Sequence, residues 1–135
     1  MNMTAILLTA GLVVSAPKVQ MLDLVNEDRV EHGEQRVSLV VKANRYALRH
    51  SQKMANHKEV FHSTARQIQG ALDGLEWALA GEVVGSCDCS LEAIEDAFML
   101  SDKHRREVLR PRYDRVGIGI VKEGDRFWVT VILFG

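Results

Sequence analysis

Two runs near the end of the chain constrain its fold most. Val116-Gly117-Ile118-Gly119-Ile120-Val121 and Phe127-Trp128-Val129-Thr130-Val131-Ile132-Leu133-Phe134 are its only strongly β-patterned segments. Between them, Lys122-Glu123-Gly124-Asp125-Arg126 is turn chemistry, so the three pieces predict a C-terminal β-hairpin. Gly117 and Gly119 share one face of their strand and thin it, either for a close-packed helix or as the floor of a cleft.

What precedes the hairpin is mostly helical. From Lys18 to His32, the residues Val19, Met21, Leu22 and Val25 form an apolar stripe, and Gly33 is a natural stop. Asn26 and Arg29 border that stripe, placed to hydrogen-bond neighbouring loops rather than a ligand. Ser38 reads as the N-cap of a long helix, Leu39 to about Asn56, with His50 on its buried face as a satisfied core residue. Lys58 to Gly81 reads as a loop with one or two short helical turns, a length that tends to carry function. Glu82-Val83-Val84, bracketed by Gly81 and Gly85, reads as a short strand. Ser90 caps a helix to about Leu100, with Leu91, Ile94, Ala97 and Phe98 inward, and Ser101 caps a further helix that Pro111 ends. That order implies an α+β domain with helices packed on a small sheet.

Composition narrows the partners. A length of 135 residues implies one domain with a real core, expected over 18–135, and a net charge of −1 gives no pull toward nucleic acid. Asp88, Glu92, Glu95 and Asp96 form an acidic segment beside the basic stretch Ser101 to Arg115, read as two solvated, mutually attractive faces. A patch for phosphate or an acidic ligand is the alternative. Cys87 and Cys89 flank one residue; so short a bridge is strained, and free or loosely paired thiols are expected. Residues 1–17 read as a signal peptide or, alternatively, a docked apolar arm, since Ala5 to Val14 is too short to span a bilayer and Val14-Ser15-Ala16 looks like a cleavage site. No transmembrane helix is expected.

The ordered set Ala47-Leu48-Arg49-His50-Ser51-Gln52-Lys53-Met54-Ala55, Phe61-His62-Ser63, Gly81-Glu82, Ser101-Asp102-Lys103-His104-Arg105, Leu109-Arg110-Pro111-Arg112-Tyr113, Val116-Gly117-Ile118-Gly119 and Phe127-Trp128-Val129-Thr130 resembles the CAP superfamily. That superfamily holds the cysteine-rich secretory, antigen 5 and pathogenesis-related proteins, and the likeness is to its short bacterial members. The resemblance implies a three-layer α-β-α sandwich with a small, mainly antiparallel sheet, and a cleft holding His62, Glu82 and His104. Ser101 stands where many animal members carry a second glutamate, Asp102-Lys103 replaces the usual Pro-Gly, and Val83 replaces the usual asparagine.

Two imidazoles and a carboxylate suit a divalent metal such as zinc, with His62, His104 and Glu82 as its ligands. The structural alternative is that Glu82 simply pairs with a histidine and locks helix to sheet. The functional expectation is a secreted, non-catalytic binding module whose cleft takes a small or lipid-like ligand or a cell-envelope component. The alternative is a metal-assisted hydrolase acting on peptide or cell-envelope material. Ser101 is its candidate nucleophile, with His104 as base and Glu82 as orienter; helix capping also accounts for Ser101.

Overall fold

The structure, a computed structural model, describes residues 16–135. The expectation for residues 1–17, a signal peptide or an apolar arm, lies outside the described residues except at Ala16 and Pro17.

The elements are α1 (Pro17–Glu31), β1 (Ser38–Leu39), α2 (Val41–His57), α3 (Ala65–Ala71), β2 (Ala80–Cys87), α4 (Leu91–Leu100), α5 (Asp102–Val108), β3 (Arg115–Glu123) and β4 (Arg126–Phe134). The strands form one four-stranded sheet in the order β1-β3-β4-β2. β1 runs parallel to β3, and the other pairings are antiparallel. The predicted hairpin is β3–β4. Glu123 pairs with Arg126 across Gly124 and Asp125, and Gly124 takes the positive φ of +59° that the tight turn requires.

Alternation along the strands sorts the sheet into two faces. Val83, Val116, Ile118, Val129, Val131 and Leu133 pack against Met21 and Val25 of α1, Leu91, Ile94 and Phe98 of α4, and Val108 of α5. On the opposite face, Ile132 and Phe134 meet Ala43 and Ala47 of α2 and Leu72 after α3. The result is the three-layer α-β-α arrangement. Gly117 and Gly119 serve close packing: a Cβ on Gly117 would lie 2.5 Å from the Ala43 Cβ, and one on Gly119 would run into the backbone of Ala47 and Leu48. Helix α2 therefore sits directly on β3.

Asn26 and Arg29 do as expected. Asn26 exchanges hydrogen bonds with the Val37 backbone, 3.0 Å to its oxygen and 2.8 Å from its nitrogen. Arg29, fully buried, donates to the carbonyls of Gln35, Val108, Arg110 and Tyr113. It thereby ties the C-terminal end of α5 and the loop after it to the loop that follows α1. His50 is 3% exposed and hydrogen-bonded to Phe61 and Ser63, a satisfied core histidine.

Several local expectations need correction. Ser38 does not cap a helix. It lies in β1, where Ser38 N–H donates to Asp114 O and Val40 N–H to Val116 O, and α2 starts only at Val41, without a side-chain cap. The parallel pairing with β3 wins because it satisfies backbone groups on both strands. β2 extends well beyond the predicted three residues, because β4 offers it a full-length partner. Ala97 is exposed, while Glu95, assigned to a solvated acidic face, is 2% exposed. Val19 is 39% exposed, at the border of the stripe rather than in the core. Cys87 and Cys89 form a disulfide; their Cα atoms lie 5.2 Å apart, inside the range that a bridge needs.

Candidate functional site

β2 is an edge strand, and the site residues gather around it from both sides. Side chains alternate along β2, so Glu82 and Val84 turn to the α2 face, while Gly81, Val83 and Gly85 turn to the face covered by α4 and α5. A Cβ on Gly81 would lie 2.5 Å from the Tyr113 hydroxyl, which donates to Glu107 Oε2 at 2.6 Å. Glycine before Glu82 thus lets the strand approach the end of α5. Gly85 similarly makes room for Phe98, whose Cε1 would be 3.1 Å from an added Cβ.

On the α2 face, His62 Nδ1 lies 2.9 Å from Glu82 Oε1, and the Ser63 N–H donates to the same oxygen at 2.8 Å. Since that oxygen only accepts, Nδ1 carries the proton and Nε2 of His62 is left free. The His62 side chain is 59% exposed and that of Glu82 only 7%. Glu82 Oε2 is buried and has no hydrogen-bond partner. An acceptor so placed costs free energy unless something donates to it.

Ser63 is held firmly in this arrangement. Its hydroxyl accepts from Tyr46 at 2.7 Å and sits 3.2 Å from His50 Nδ1, while His50 Nε2 meets the Phe61 carbonyl at 2.7 Å. The carbonyl requires a proton on Nε2, so Nδ1 accepts from Ser63. Burial holds the Tyr46 phenol above its ordinary pKa, which keeps it a donor. In the sequence Ser63 has no role beyond standing beside His62. Only contact with the distant His50 and Glu82 reveals one.

On the opposite face, the His104 ring is tilted 60° against Phe98 with centroids 5.2 Å apart. Burial, chiefly, and then the neighbouring His62 and Lys103 hold its pKa below the usual histidine range, so the ring is neutral at pH 7. Ser101 and His104 line a groove of about 420 Å³ along Val84 to Cys87, walled by Ala93, Ala97 and Phe98. Another groove, of about 380 Å³, lies between Pro17, α2 and β3 and contains no histidine or carboxylate.

The hydrolytic constellation is not assembled. Ser101 begins α5, where its carbonyl accepts from Arg105 N–H at 2.8 Å, but its hydroxyl makes no cap hydrogen bond. Capping therefore accounts for its position and not for its side chain. Among the described residues it has no bond to His104, and Glu82 pairs with His62. The metal set is equally incomplete: among the described residues, no three His, Cys, Asp or Glu side chains are grouped to hold an ion. As they stand, the imidazoles supply at most two donors, short of the three protein ligands usual for an open zinc site.

The family model described as CAP, the cysteine-rich secretory protein family, matches residues 22–133. The chain belongs to this family. The Bacillus subtilis (strain 168) protein YkwD is 26% identical to this CAP chain over 117 residues, covering 83% of the chain and 45% of YkwD. Among solved structures, an extracellular protein containing a SCP domain from Bacillus anthracis str. Ames superposes with a TM-score of 0.75 at 19% identity, over 87% of this chain and 40% of that one. An outer surface protein from Borrelia burgdorferi gives 0.73 at 17% identity, over 87% of this chain and 90% of that one. At such identities the likeness is one of fold. The CAP chain thus spans less than half the length of YkwD and of the Bacillus anthracis protein. Among its described residues, no helix is long and apolar enough to cross a membrane.

Proposed function

We propose that this CAP domain is a secreted binding module whose cleft holds a small, partly apolar or lipid-like ligand without turning it over. The observation that carries the reading is Glu82: buried, fixed through one oxygen by His62 and Ser63, and with its other oxygen unpartnered. Such a carboxylate is organised to receive a donor. The apolar wall of Ala93, Ala97 and Phe98 lies on the other face of β2, so it would take the remainder of a ligand that straddles the edge of that strand. The extracellular and outer-surface descriptions of the two solved relatives support secretion.

Zinc enters the proposal only as a weakly held accessory of His62 and His104, which the ion would have to draw together from the two faces of β2. Calorimetric zinc titration at pH 7.5 tests this. The expected result is weak binding that disappears in His62→Ala/His104→Ala and fades as pH falls through the histidine range. Equal binding by both proteins, or none, removes zinc from the proposal.

A further inference from the structure

The free edge of β2 offers a second, more specific mode of recognition. Leu79 and Gly135 exchange both of their backbone hydrogen bonds at 3.0 Å, so they form a hydrogen-bonded pair of the antiparallel ladder. From there the register runs Ala80↔Phe134, Gly81↔Leu133 and onward to Cys87↔Phe127. Hydrogen-bonded pairs alternate with pairs whose N–H and C=O groups point away from the partner. Gly81, Val83, Gly85 and Cys87 therefore bond to β4, while Ala80, Glu82, Val84 and Ser86 turn their backbone groups away from it, the first two and Ser86 half-buried and Val84 5% exposed. The hairpin gives the same phase: counting from the turn pair Glu123↔Arg126, the even-numbered residues of β4 bond to β3, leaving its odd-numbered residues for β2.

Among the described residues, no backbone or side-chain group bonds to those outward amides and carbonyls. Sheet edges are ordinarily blunted by shortness, proline, lysine or a bulge. β2 has eight residues, Ala-Gly-Glu-Val-Val-Gly-Ser-Cys, with neither proline nor lysine. Its one charge, Glu82, is turned inward to His62 and Ser63 and is the one such device that β2 carries. The groove described above runs along this edge at Val84 to Cys87.

The geometry points to an extended peptide segment as the occupant, adding to β2 as a further strand. Only a main chain repeats donors and acceptors at the two-residue period that the edge presents. A lipid chain laid there would cover those polar groups without satisfying them. Alternate side chains of the peptide would face Ala97 and Phe98, which suits apolar residues. The others would stand on the face that carries His62 and Glu82. This inference rests on the binding-module reading and puts a peptide in place of the lipid-like ligand named there, and the two can fail separately.

The experiment uses the ¹⁵N-labelled full chain, titrated with pools of acetylated, amidated hexapeptides alternating Val or Leu with Thr or Ser. The amides of Glu82, Val84 and Ser86 are expected to shift and to gain protection from hydrogen exchange. N-methylation of the peptide in one alternating register should weaken binding about tenfold per bond lost, and in the other register should leave it unchanged. Ser86→Pro deletes an outward N–H that β4 does not use, so it should weaken the peptide about tenfold while leaving the ladder intact. Shifts confined to other residues, equal losses in both N-methyl registers, or no response at millimolar peptide would overturn the inference. So would concentration-dependent shifts of these amides without peptide, which would assign the edge to a second copy of the chain. Fatty-acid binding that depends on Glu82, with silent β2 amides, would overturn it and leave the module reading standing.

Discussion

Gly119→Ala is expected to destabilise the domain by about 3 kcal/mol, among the largest effects available from one added methyl group. The new Cβ meets the backbone of Ala47 and Leu48 rather than a side chain that can swing away. Helix α2 must lift from β3, and with it the contacts of Ala43 and Ala47 against Ile132 and Phe134 are lost. Because Ser51 on α2 hydrogen-bonds the Gly119 carbonyl at 2.8 Å and Thr130 at 2.8 Å, the shift strains those buried bonds as well. Gly70→Ala is the control. It lies in α3 with nothing within 4 Å of the added methyl, so helix propensity alone should make it stabilising by about 0.5 kcal/mol. Urea unfolding of the two variants beside the wild type measures the difference. Similar midpoints for both would contradict the close packing of α2 on β3.

Glu95→Leu is expected to stabilise the protein, increasingly so as pH rises. Burial, with the neighbouring Asp28 and Asp96 carboxylates adding to it, pushes the Glu95 carboxyl up to about 9. Neither oxygen has a hydrogen-bond partner, and Asp28 does not close to one, so burial is the main cause. The folded state thus holds a proton that the unfolded chain releases at about pH 4.5. Between these two values the unfolded state binds fewer protons, so stability falls with pH by about 1.4 kcal/mol per unit. The loss attributable to this residue is absent below pH 4.5 and levels off above pH 9. At pH 7 the leucine variant should therefore exceed the wild type by about 3 kcal/mol, and by more at pH 9. Unfolding midpoints across pH 5 to 9 check this; parallel profiles for the two proteins would contradict it.

The same residue shows how a local pattern can be present and still mislead. Leu91, Ile94, Glu95 and Phe98 follow the helical i, i+3, i+4, i+7 spacing, so the buried stripe of α4 is there in the sequence. The charge of Glu95 diverts the reading to Ala97. The hairpin is legible because a strict two-residue period has few other interpretations, and the paired glycines because they share its face. Arg29 and Asn26 are legible as loop-binding groups from their place at the stripe's border. The capping box of Thr64 and Gln67, with both reciprocal bonds formed, is an equally local signal, but it sits in a stretch whose weak apolar period reads as loop. Ser38 misleads because its β pairing is to a strand distant in the chain, which local propensity does not register.

The candidate site divides along the same line. The gathering of His62, Glu82 and His104 around one strand follows from the family pattern, whereas the choice of His62 as the partner of Glu82, the unpartnered Oε2, the anchoring of Ser63 by Tyr46 and His50, and the seat of His104 on Phe98 depend on three-dimensional contacts. The open edge of β2 depends on topology alone, since only strand order shows that β2 has one neighbour.

Native mass spectrometry of the protein after incubation with mixed fatty acids and blocked peptides tests the central claim most directly, because one spectrum reads both retention and cleavage. The expected result is intact ligand retained by the wild type and largely lost from Glu82→Ala, with no shortened products. Product peaks that accumulate with the wild type and vanish in His62→Ala or His104→Ala would contradict it.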